Sequence, residues 1–458
     1  MEYKSTDELL SKAKEAENHT FENFDIHDKL SSKGNKGSLG QIIEEGLFGY
    51  DINSNNEADF ADLGVELKVT PVKILKNNSL AAKERLVLNI INYLKEVNFT
   101  FETSSFWRKN KNILMMFYLW QEGQERKDYR ILKSILYTYP EEDLEVIKND
   151  WEIIVNKIRA GKAHELSEGD TMYLGACTKG ATNKTIRIQP FSDIPAKQRA
   201  FSLKSSYMTT LVRKYVDNEK VVSFTNSNEL KTKTLEDVLY ERFEPYIGLT
   251  VAQISNKLNY DINPANKSTI ANMISSLLGI KGTKLDDIEE FAKANIQFKT
   301  IRLEPNGIPK EHMSFENIDF EKWLKLDFEE SQIYEKFEQT KFLFIVFAYN
   351  ETKSQNPNRE AYLKRVLLWN MPLQTIENEV KEMWERGRKI LEEGVILKET
   401  PRGISNNLPK ATENSVTHIR PKARNAADTV KLPDGQVITK QTYWLNREYI
   451  GKIVKEIG

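Results

Sequence analysis

Residues 57–70 read Glu-Ala-Asp-Phe-Ala-Asp-Leu-Gly-Val-Glu-Leu-Lys-Val-Thr, and this stretch decides the fold. The five residues from Val65 onward alternate between apolar and charged, which predicts a strand with Glu66 and Lys68 on one face and the apolar side chains on the other. The two charged side chains then stand roughly 6.5 to 7 Å apart along the strand. Asp59 precedes Glu66 by seven residues with a glycine between, which leaves room for a turn that brings its carboxylate back beside the strand.

This arrangement predicts chemistry on phosphate esters. Two carboxylates hold a hard divalent cation such as Mg²⁺ while water and substrate phosphate fill its other positions. A neighbouring lysine orients a water or stabilises charge on the attacked phosphate. The alternative is an ion pair in solvent, since an acidic residue two places before a lysine is common on exposed strand faces.

Length and composition limit the possible number of domains, the binding partners and the kinds of metal site. A chain of 458 residues is long enough for two or three domains. The net charge is -1, so attraction to nucleic acid must come from local clusters of cations. Cys177 is the single cysteine, which excludes an intrachain disulfide framework and a cysteine-based zinc site, and the histidines show no metal-ligand spacing. We find no signal peptide and no membrane-spanning run, and expect a cytoplasmic protein with no membrane partner.

Hydrophobic spacing predicts helices and strands mixed in one domain, which makes the fold class α/β (α+β). The predicted helices are residues 5–17, 38–47, 80–97 and 140–160, and the predicted strands besides the central one are 112–120 and 129–137. Ser38 and Gln41 have the spacing of a capping box. Glu44 lies on the same helix and is either a third ligand, to metal or water, or a glutamate in solvent.

Residues 179–214 form a basic cluster in a chain that is otherwise nearly neutral. Asp193 is the single acidic residue there. The cations are Lys179, Lys184, Arg187, Lys197, Arg199, Lys204, Arg213 and Lys214. Such a cluster can follow a phosphate backbone. A solvated basic face is the alternative.

The sequence of the second half is a degenerate repeat of the first half. A polar stretch, residues 216–233, looks like a linker between predicted domains at 1–215 and 234–458. Residues 266–275 align with 35–44, and residues 290–299 with 59–68. In the second copy Ser275 replaces Glu44 and Gln297 replaces Glu66, and a hydroxyl or amide binds Mg²⁺ far more weakly than a carboxylate. We expect no catalysis there.

Several stretches carry a resemblance that runs over nearly the whole chain. They are residues 36–44, Asp59, residues 63–68, 83–92, 142–152, 164–169 and 197–204. In order and spacing they resemble the MutH family of GATC-specific DNA endonucleases, and within it the Sau-three-A-type restriction endonucleases. The resemblance implies two tandem PD-(D/E)xK restriction-endonuclease-like domains, the second degenerate. It implies that Asp59, Glu66 and Lys68 are the catalytic set, that Asp59 and Glu66 bind Mg²⁺, and that Glu44 assists.

The resemblance also concerns the residues that would contact the DNA bases. In the first half only Lys179 remains of the family's Arg-Pro-Lys run, whereas residues 418–425 keep that run in the second half. Arg420, Lys422 and Arg424 are therefore candidates for phosphate or guanine contacts. By resemblance, the second half is an effector domain that binds a second copy of the site.

The symmetry of a palindromic DNA site determines how many active sites are needed to cleave both strands. Cutting both strands of a palindromic GATC site requires two competent centres, and this chain supplies one, so either two chains associate on the DNA or one strand is nicked. We predict a type II restriction endonuclease that makes Mg²⁺-dependent double-strand cuts at GATC in double-stranded DNA. The alternatives are a mismatch-repair nickase and a non-catalytic GATC-binding protein.

Overall fold

The structure is a computed structural model, and it describes residues 3–31, 37–50, 57–180, 185–261, 269–280, 284–401 and 403–456. It confirms the mixed α/β class. The chain divides into two compact units. Unit 1 comprises Met1–Leu235 and Asp287–Asn295, and unit 2 comprises Glu236–Asp286 and Ile296–Gly458. Among the described residues, no helix is long and apolar enough to cross a membrane.

The first half of the chain mixes short helices with strands. Its strands are β1 (Glu66–Ile74), β2 (Leu80–Ala82), β3 (Leu86–Ile90), β4 (Asn112–Leu119), β5 (Arg130–Thr138), β6 (Leu174–Thr178), β7 (Ile186–Arg187), β8 (Ala196–Lys197) and β9 (Arg199–Leu203). Its helices are α1 (Thr6–Lys14), α2 (Ser38–Gly46), α3 (Tyr93–Glu96), α4 (Ser105–Asn110), α5 (Glu141–Arg159), α6 (Ser205–Tyr215) and α7 (Ser227–Leu230).

Two sheets organise unit 1. The larger has the strand order β2-β1-β4-β5, with β1 parallel to β4 and the other pairs antiparallel. The smaller is the antiparallel sheet β3-β9-β6, and the hairpin β7-β8 lies in the chain between β6 and β9. Val65 and Leu67 pack in one apolar cluster with Leu39, Ile42 and Ile43 of α2. Because side chains alternate along a strand, Glu66 and Lys68 face away from that cluster.

Most of the predicted elements of the first half are confirmed, and two predictions are wrong. Residues 80–97 form β2, β3 and the short α3 instead of one helix, because β2 pairs with β1 and β3 with β9. Such tertiary pairing outweighs local helical spacing, and the β-branched Val87 and Ile90 favour a strand. The capping box is also absent: Gly37 is the N-cap of α2, while Ser38 is inside the helix and buried.

The second half of the chain also mixes helices with strands. Its strands are β10 (Ile296–Leu303), β11 (Met313–Asn317), β12 (Lys341–Ala348), β13 (Tyr362–Trp369), β14 (Leu397–Thr400), β15 (Gly403–Asn406), β16 (Thr417–Pro421), β17 (Thr429–Lys431), β18 (Val437–Thr439) and β19 (Gln441–Leu445). Its helices are α8 (Leu235–Phe243), α9 (Val251–Lys257), α10 (Thr269–Leu277), α11 (Glu289–Ala294), α12 (Phe320–Lys325), α13 (Gln332–Gln339), α14 (Leu373–Thr375), α15 (Lys381–Glu393) and α16 (Arg447–Glu456).

Unit 2 repeats the strand topology of unit 1. Strand β10 is parallel to β12, which is antiparallel to β13, as β1, β4 and β5 are related in unit 1. The sheet β11-β19-β16 has the order and sense of β3-β9-β6. The hairpin β17-β18 lies between β16 and β19, where unit 1 has β7-β8 between β6 and β9. A large apolar cluster that includes Phe342, Phe344 and Trp384 fills unit 2.

The stretch predicted as a linker, residues 216–233, groups with unit 1 and is partly buried there. Phe224 and Leu230 are buried. The backbone oxygen of Val222 accepts a 2.8 Å hydrogen bond from the amide of Glu289 on α11. Helix α11 thus belongs to unit 1, although its sequence lies in the second half of the chain.

Candidate active site and DNA interface

A tight turn before β1 brings Asp59 back to the strand. The 3₁₀ turn Ala61–Leu63 ends at Gly64, whose φ of +61° is a conformation that glycine adopts without strain. Asp59 Oδ2 then accepts a 2.9 Å hydrogen bond from the amide of Leu67, and Glu66 Oε2 accepts one of 3.3 Å from the amide of Asp59. The structure therefore brings the two predicted ligands together.

Two lysines stand beside the carboxylate of Glu66, whose side chain is only 2% exposed. Lys68 Nζ lies 2.5 Å from Glu66 Oε1, and Lys109 Nζ lies 3.6 Å from the same oxygen. Sequence reasoning missed Lys109, which lies on α4. The available signal was the basic run Arg108–Lys111 before a buried strand, because β4 pairs in parallel with β1 and so begins beside Glu66.

The three predicted acidic residues act on one another. Burial raises the pKa of Glu66, Lys68 opposes this, and Asp59 raises the pKa further. Burial also raises the pKa of Glu44, and the charge of Asp59 adds to the effect. Glu44 on α2 thus belongs to the same electrostatic group.

The residues present fit a magnesium ion. In the described parts of the chain, no three His, Cys, Asp or Glu side chains gather closely enough to hold a metal by themselves. Mg²⁺ does not need three, since it keeps several waters and is often bound through one or two carboxylates and substrate phosphate. Asp59 and Glu66 offer such hard oxygen donors. A cation there would also offset the burial and the repulsion from Asp59 that together raise the pKa of Glu66 and Glu44.

A cleft of about 1020 Å³ adjoins this site. Ala58 and Gly64, which flank the Asp59 turn, are part of its wall. Its cationic lining consists of Lys95, Arg108, Lys109 and Lys111, and its acidic lining of Glu57, Asp62 and Glu96. The cations outnumber the acids by one, and their side chains can contact a phosphate backbone.

The predicted DNA contacts of the first half divide into three groups. Lys179 and Arg187 are exposed and Lys197 is half-buried, so their side chains lie at the surface. Arg187 Nε donates a 2.6 Å hydrogen bond to Gln198 Oε1, which orients the guanidinium. Lys184 lies outside the described residues. Arg199 and Lys204 are the third group.

Arg199 and Lys204 correct the sequence prediction, because both side chains are buried. Arg199 Nη1 donates to the carbonyl oxygen of Ala176 at 2.5 Å, and Lys204 Nζ donates to that of Thr171 at 2.6 Å. Arg199 begins β9, the central strand of its sheet, and Lys204 follows that strand. Their cations bind backbone carbonyls of unit 1, and we exclude them from the DNA interface.

The aligned positions of the second half have other partners. Gln297 Oε1 accepts a 2.7 Å hydrogen bond from Lys336, and Lys299 Nζ donates to the carbonyl oxygen of Ser314 at 3.3 Å. Glu290, which aligns with Asp59, is buried, and its Oε1 accepts a 2.8 Å bond from the Thr225 hydroxyl. These contacts give the aligned residues structural roles.

The cations that the sequence predicts to contact DNA in the second half lie on and after β16. Arg420, Lys422 and Arg424 are all exposed. The guanidinium of Arg420 lies 5.7 Å from the centre of the Trp444 ring, and Arg424 Nε lies 3.4 Å from a carboxylate oxygen of Asp428. This surface therefore presents cations as the sequence predicts.

Comparison with known proteins identifies the family. The family model of the DNA mismatch repair enzyme MutH matches residues 48–150 and again residues 282–382. The chain is 37% identical to the type II restriction enzyme Sau3AI of Staphylococcus aureus, over 99% of both chains. It is 31% identical to the DNA mismatch repair protein MutH of Shewanella woodyi, over 40% of this chain and 79% of that protein. The MutH of Shigella flexneri is 26% identical over 46% of this chain and 92% of its own length. The chain therefore belongs to the MutH family, as a type II restriction endonuclease of the Sau3AI type.

Proposed function

We propose that this enzyme cuts both strands of double-stranded DNA at GATC sites and requires Mg²⁺. One observation carries the proposal. The carboxylates of Asp59 and Glu66 and the ammonium group of Lys68 meet at the start of β1, next to a cleft with several cations. Sau3AI resembles this chain along its whole length, which favours cleavage of both strands over nicking.

In the proposed mechanism each residue has a separate role. Asp59 and Glu66 would hold Mg²⁺, which supplies Lewis-acid activation of the scissile phosphate and of water. Lys68 orients the attacking water and stabilises the negative charge that develops on phosphorus, while Lys109 binds a phosphate oxygen. Glu44, with its raised pKa, accepts a hydrogen bond from the water. Water attacks in line and releases its proton to solvent, the bond from phosphorus to the 3′ oxygen breaks, that oxygen takes up a proton from water, and a 5′-phosphate and a 3′-hydroxyl remain.

The direct test replaces Glu66 with glutamine. Glu66→Gln should abolish cutting of supercoiled plasmid in Mg²⁺ and keep binding to a GATC duplex, because the amide retains the volume and loses the charge. Glu57→Gln is a matched control, since Glu57 is an exposed carboxylate that lines the same cleft. Full activity of Glu66→Gln would contradict the assignment.

We further propose that unit 2 is a degenerate PD-(D/E)xK copy that binds a second GATC site and activates unit 1. Its repeated topology and the second family match support this origin. Its lack of glutamate at the Ser275 and Gln297 positions supports the loss of cutting. Two chains would then associate on the DNA to supply two centres. Plasmids with zero, one and two sites test this, and faster cutting of the two-site plasmid should disappear when Arg420 and Arg424 are both replaced by alanine.

A second candidate is a nickase of the mismatch-repair type, which the MutH match favours. It would release nicked circles from the same plasmids, and only on hemimethylated DNA with an activating protein. GATC binding without any cutting would instead indicate a non-catalytic binding protein. A cytoplasmic location stays a prediction from the sequence.

A further inference from the structure

The tip of the hairpin β7-β8 presents an unusual amount of apolar surface. Four large apolar side chains within nine residues are more than half exposed, namely Ile186 (57%), Ile188 (76%), Phe191 (73%) and Ile194 (54%). Single exposed apolar residues are normal, but a cluster of this kind marks an interaction surface. We call these four side chains the apolar tip.

The backbone under the apolar tip is held in a fixed shape. The buried Gln189 accepts a 2.7 Å hydrogen bond from the amide of Ala163, donates one of 2.5 Å to the carbonyl oxygen of Ile194, and lies 2.9 Å from His164 Nδ1. Phe191 adopts φ +62°, a strained conformation for a side chain of its size. The ring of Phe191 is thereby held in solvent. Backbone strain of this kind is concentrated at functional sites.

The backbone also fits closely against its neighbour. A Cβ atom on Gly161 would lie 2.5 Å from the carbonyl oxygen of Phe191, so only glycine permits this approach. Gly161 itself has φ +71°. The backbone at Phe191 therefore packs directly against Gly161.

Unit 2 provides an internal comparison. The hairpin β17-β18 occupies the same place in the strand order, and its apolar residues Leu432 and Ile438 are buried in the core of unit 2. The turn between its strands contains the polar Asp434 and a glycine. Only Val437 is a large exposed apolar residue among the described residues of that hairpin. An exposed apolar tip is therefore a feature of the hairpin in unit 1, and the shared topology does not require it.

The hairpin and the segments next to it carry several cations. Arg187 and Lys197 lie on the hairpin itself, Lys179 lies at its base, and Lys162 follows Gly161 in the chain. Asp193 is an exposed acid within the tip. Exposed apolar side chains on a hairpin that also carries arginine and lysine are complementary to a nucleic acid, whose bases are apolar between two rows of phosphates.

The hairpin is also attached to the wall of the catalytic cleft. The hydroxyl of Tyr93 donates a 2.6 Å hydrogen bond to the carbonyl oxygen of Lys197 on β8. Ile90, Asn92 and Lys95, on either side of Tyr93, line the cleft that adjoins the Asp59 and Glu66 site. DNA bound in that cleft would pass close to the hairpin.

We propose that the apolar tip inserts into duplex DNA, with Phe191 and Ile188 wedged against a base step that they partly unstack. This inference rests on the proposed function and adds a residue set that distorts the bound DNA. Side chains of this type are known to pry base steps apart and bend the duplex, which lets more of the protein surface make contact. The tip then selects sites whose neighbouring steps unstack easily.

The experiment uses the full chain and short duplexes with a single GATC site, in which 2-aminopurine replaces one adenine or a flanking base at a time. Ca²⁺ replaces Mg²⁺, so that a divalent cation is present during binding. The variants are Phe191→Asn, since asparagine tolerates the positive φ, and Ile188→Ser. Val437→Ser in the other hairpin is the matched control, because Val437 is also more than half exposed.

The wild-type protein should raise the 2-aminopurine fluorescence at one or two adjacent positions. Phe191→Asn and Ile188→Ser should lose this signal and bind about ten-fold more weakly, with the same salt dependence, because a stacking contact and no phosphate contact is removed. Val437→Ser should behave like the wild type. Cooperative thermal unfolding at or above the wild-type melting temperature would show that the variants are folded.

Three outcomes overturn the proposal in distinguishable ways. If the two tip variants unstack and bind DNA like the wild type, the tip does not insert. If they keep the fluorescence signal and lose self-association in sedimentation, the tip is a contact between two chains. If the wild type itself neither binds nor cuts GATC duplexes, the proposed function fails, and the wedge fails with it.

Discussion

Lys293 Nζ lies 2.6 Å from Oδ1 and 2.8 Å from Oδ2 of Asp143, a residue 150 positions earlier in the chain. Both side chains are almost completely buried. Glu289 Oε1 also lies 2.6 Å from Nζ, and the hydroxyl of Tyr207 donates a 2.7 Å bond to Asp143. Burial lowers the pKa of Lys293, but the attraction of Asp143 and Glu289 outweighs it, and the pKa is raised. The lysine is therefore charged inside unit 1.

Removing this lysine should destabilise unit 1. Lys293→Met leaves Asp143 buried without a counter-charge, which costs about 3 to 5 kcal/mol in the free energy of unfolding. Urea unfolding followed by circular dichroism measures the loss. Lys389→Met is the control, because Lys389 pairs with Glu393 at 3.8 Å on the surface and should show no measurable change. Equal behaviour of the two variants would contradict the structural role of Lys293.

Lys109 should contribute to the chemical step. Lys109→Met removes a cation 3.6 Å from the Glu66 carboxylate and should lower the single-turnover cleavage rate at saturating DNA about 100-fold or more. Lys95→Met, in the same cleft, should mainly weaken DNA binding and reduce its salt dependence. A Lys109→Met variant with a normal rate at saturation would restrict Lys109 to binding.

Glu44 should reduce stability at neutral pH. Its pKa is raised above the ordinary 4.5, first by burial and then by Asp59. A carboxyl whose pKa is raised by folding contributes stability below its unfolded pKa and loses that contribution as the pH rises through the folded pKa. Glu44→Gln should therefore raise the melting temperature at pH 7 in Mg²⁺-free buffer, and the gain should vanish below pH 4.5. A lower or unchanged melting temperature at pH 7 would oppose this account, and cleavage by the variant should fall.

Gly161 should be essential to the shape of the β7-β8 hairpin. In Gly161→Ala the new Cβ atom meets the carbonyl oxygen of Phe191 at 2.5 Å, and the positive φ adds strain. Gly123→Ala is the control, since Gly123 has φ +80° and nothing within 4 Å of the added atom. The control should lose about 1 to 2 kcal/mol of unfolding free energy, and Gly161→Ala more. Faster hydrogen exchange in the hairpin of Gly161→Ala alone would locate the difference.

The core of the site could be predicted because its signals are local. Alternation over five residues defines β1 and the faces of Glu66 and Lys68, and the glycine before the strand permits the turn that returns Asp59. The helix that carries Glu44 follows from apolar residues at helical spacing. Each of these signals lies within about ten residues of the group that it positions.

The rest depends on partners distant in sequence. Lys109 reaches Glu66 only because β4 pairs in parallel with β1. Arg199 and Lys204 count as cations in the sequence, but the sheet around β9 turns them inward to backbone carbonyls. Residues 80–97 have helical spacing and form strands because β1 and β9 offer them hydrogen-bond partners. The positions of charged residues in the sequence do not show which way their side chains point or which strands pair.

Helix α11 sets the order in which the enzyme can be completed during translation. The ribosome releases Asp143 and Tyr207 early, but it adds Lys293 only after all of Met1–Leu235 has been made. Until then the nascent unit 1 has a carboxylate in its interior and no cation to pair with it. A gene shortened after residue 235 would encode an incomplete nuclease, even though the polar segment before that residue looks like a natural place to divide the protein.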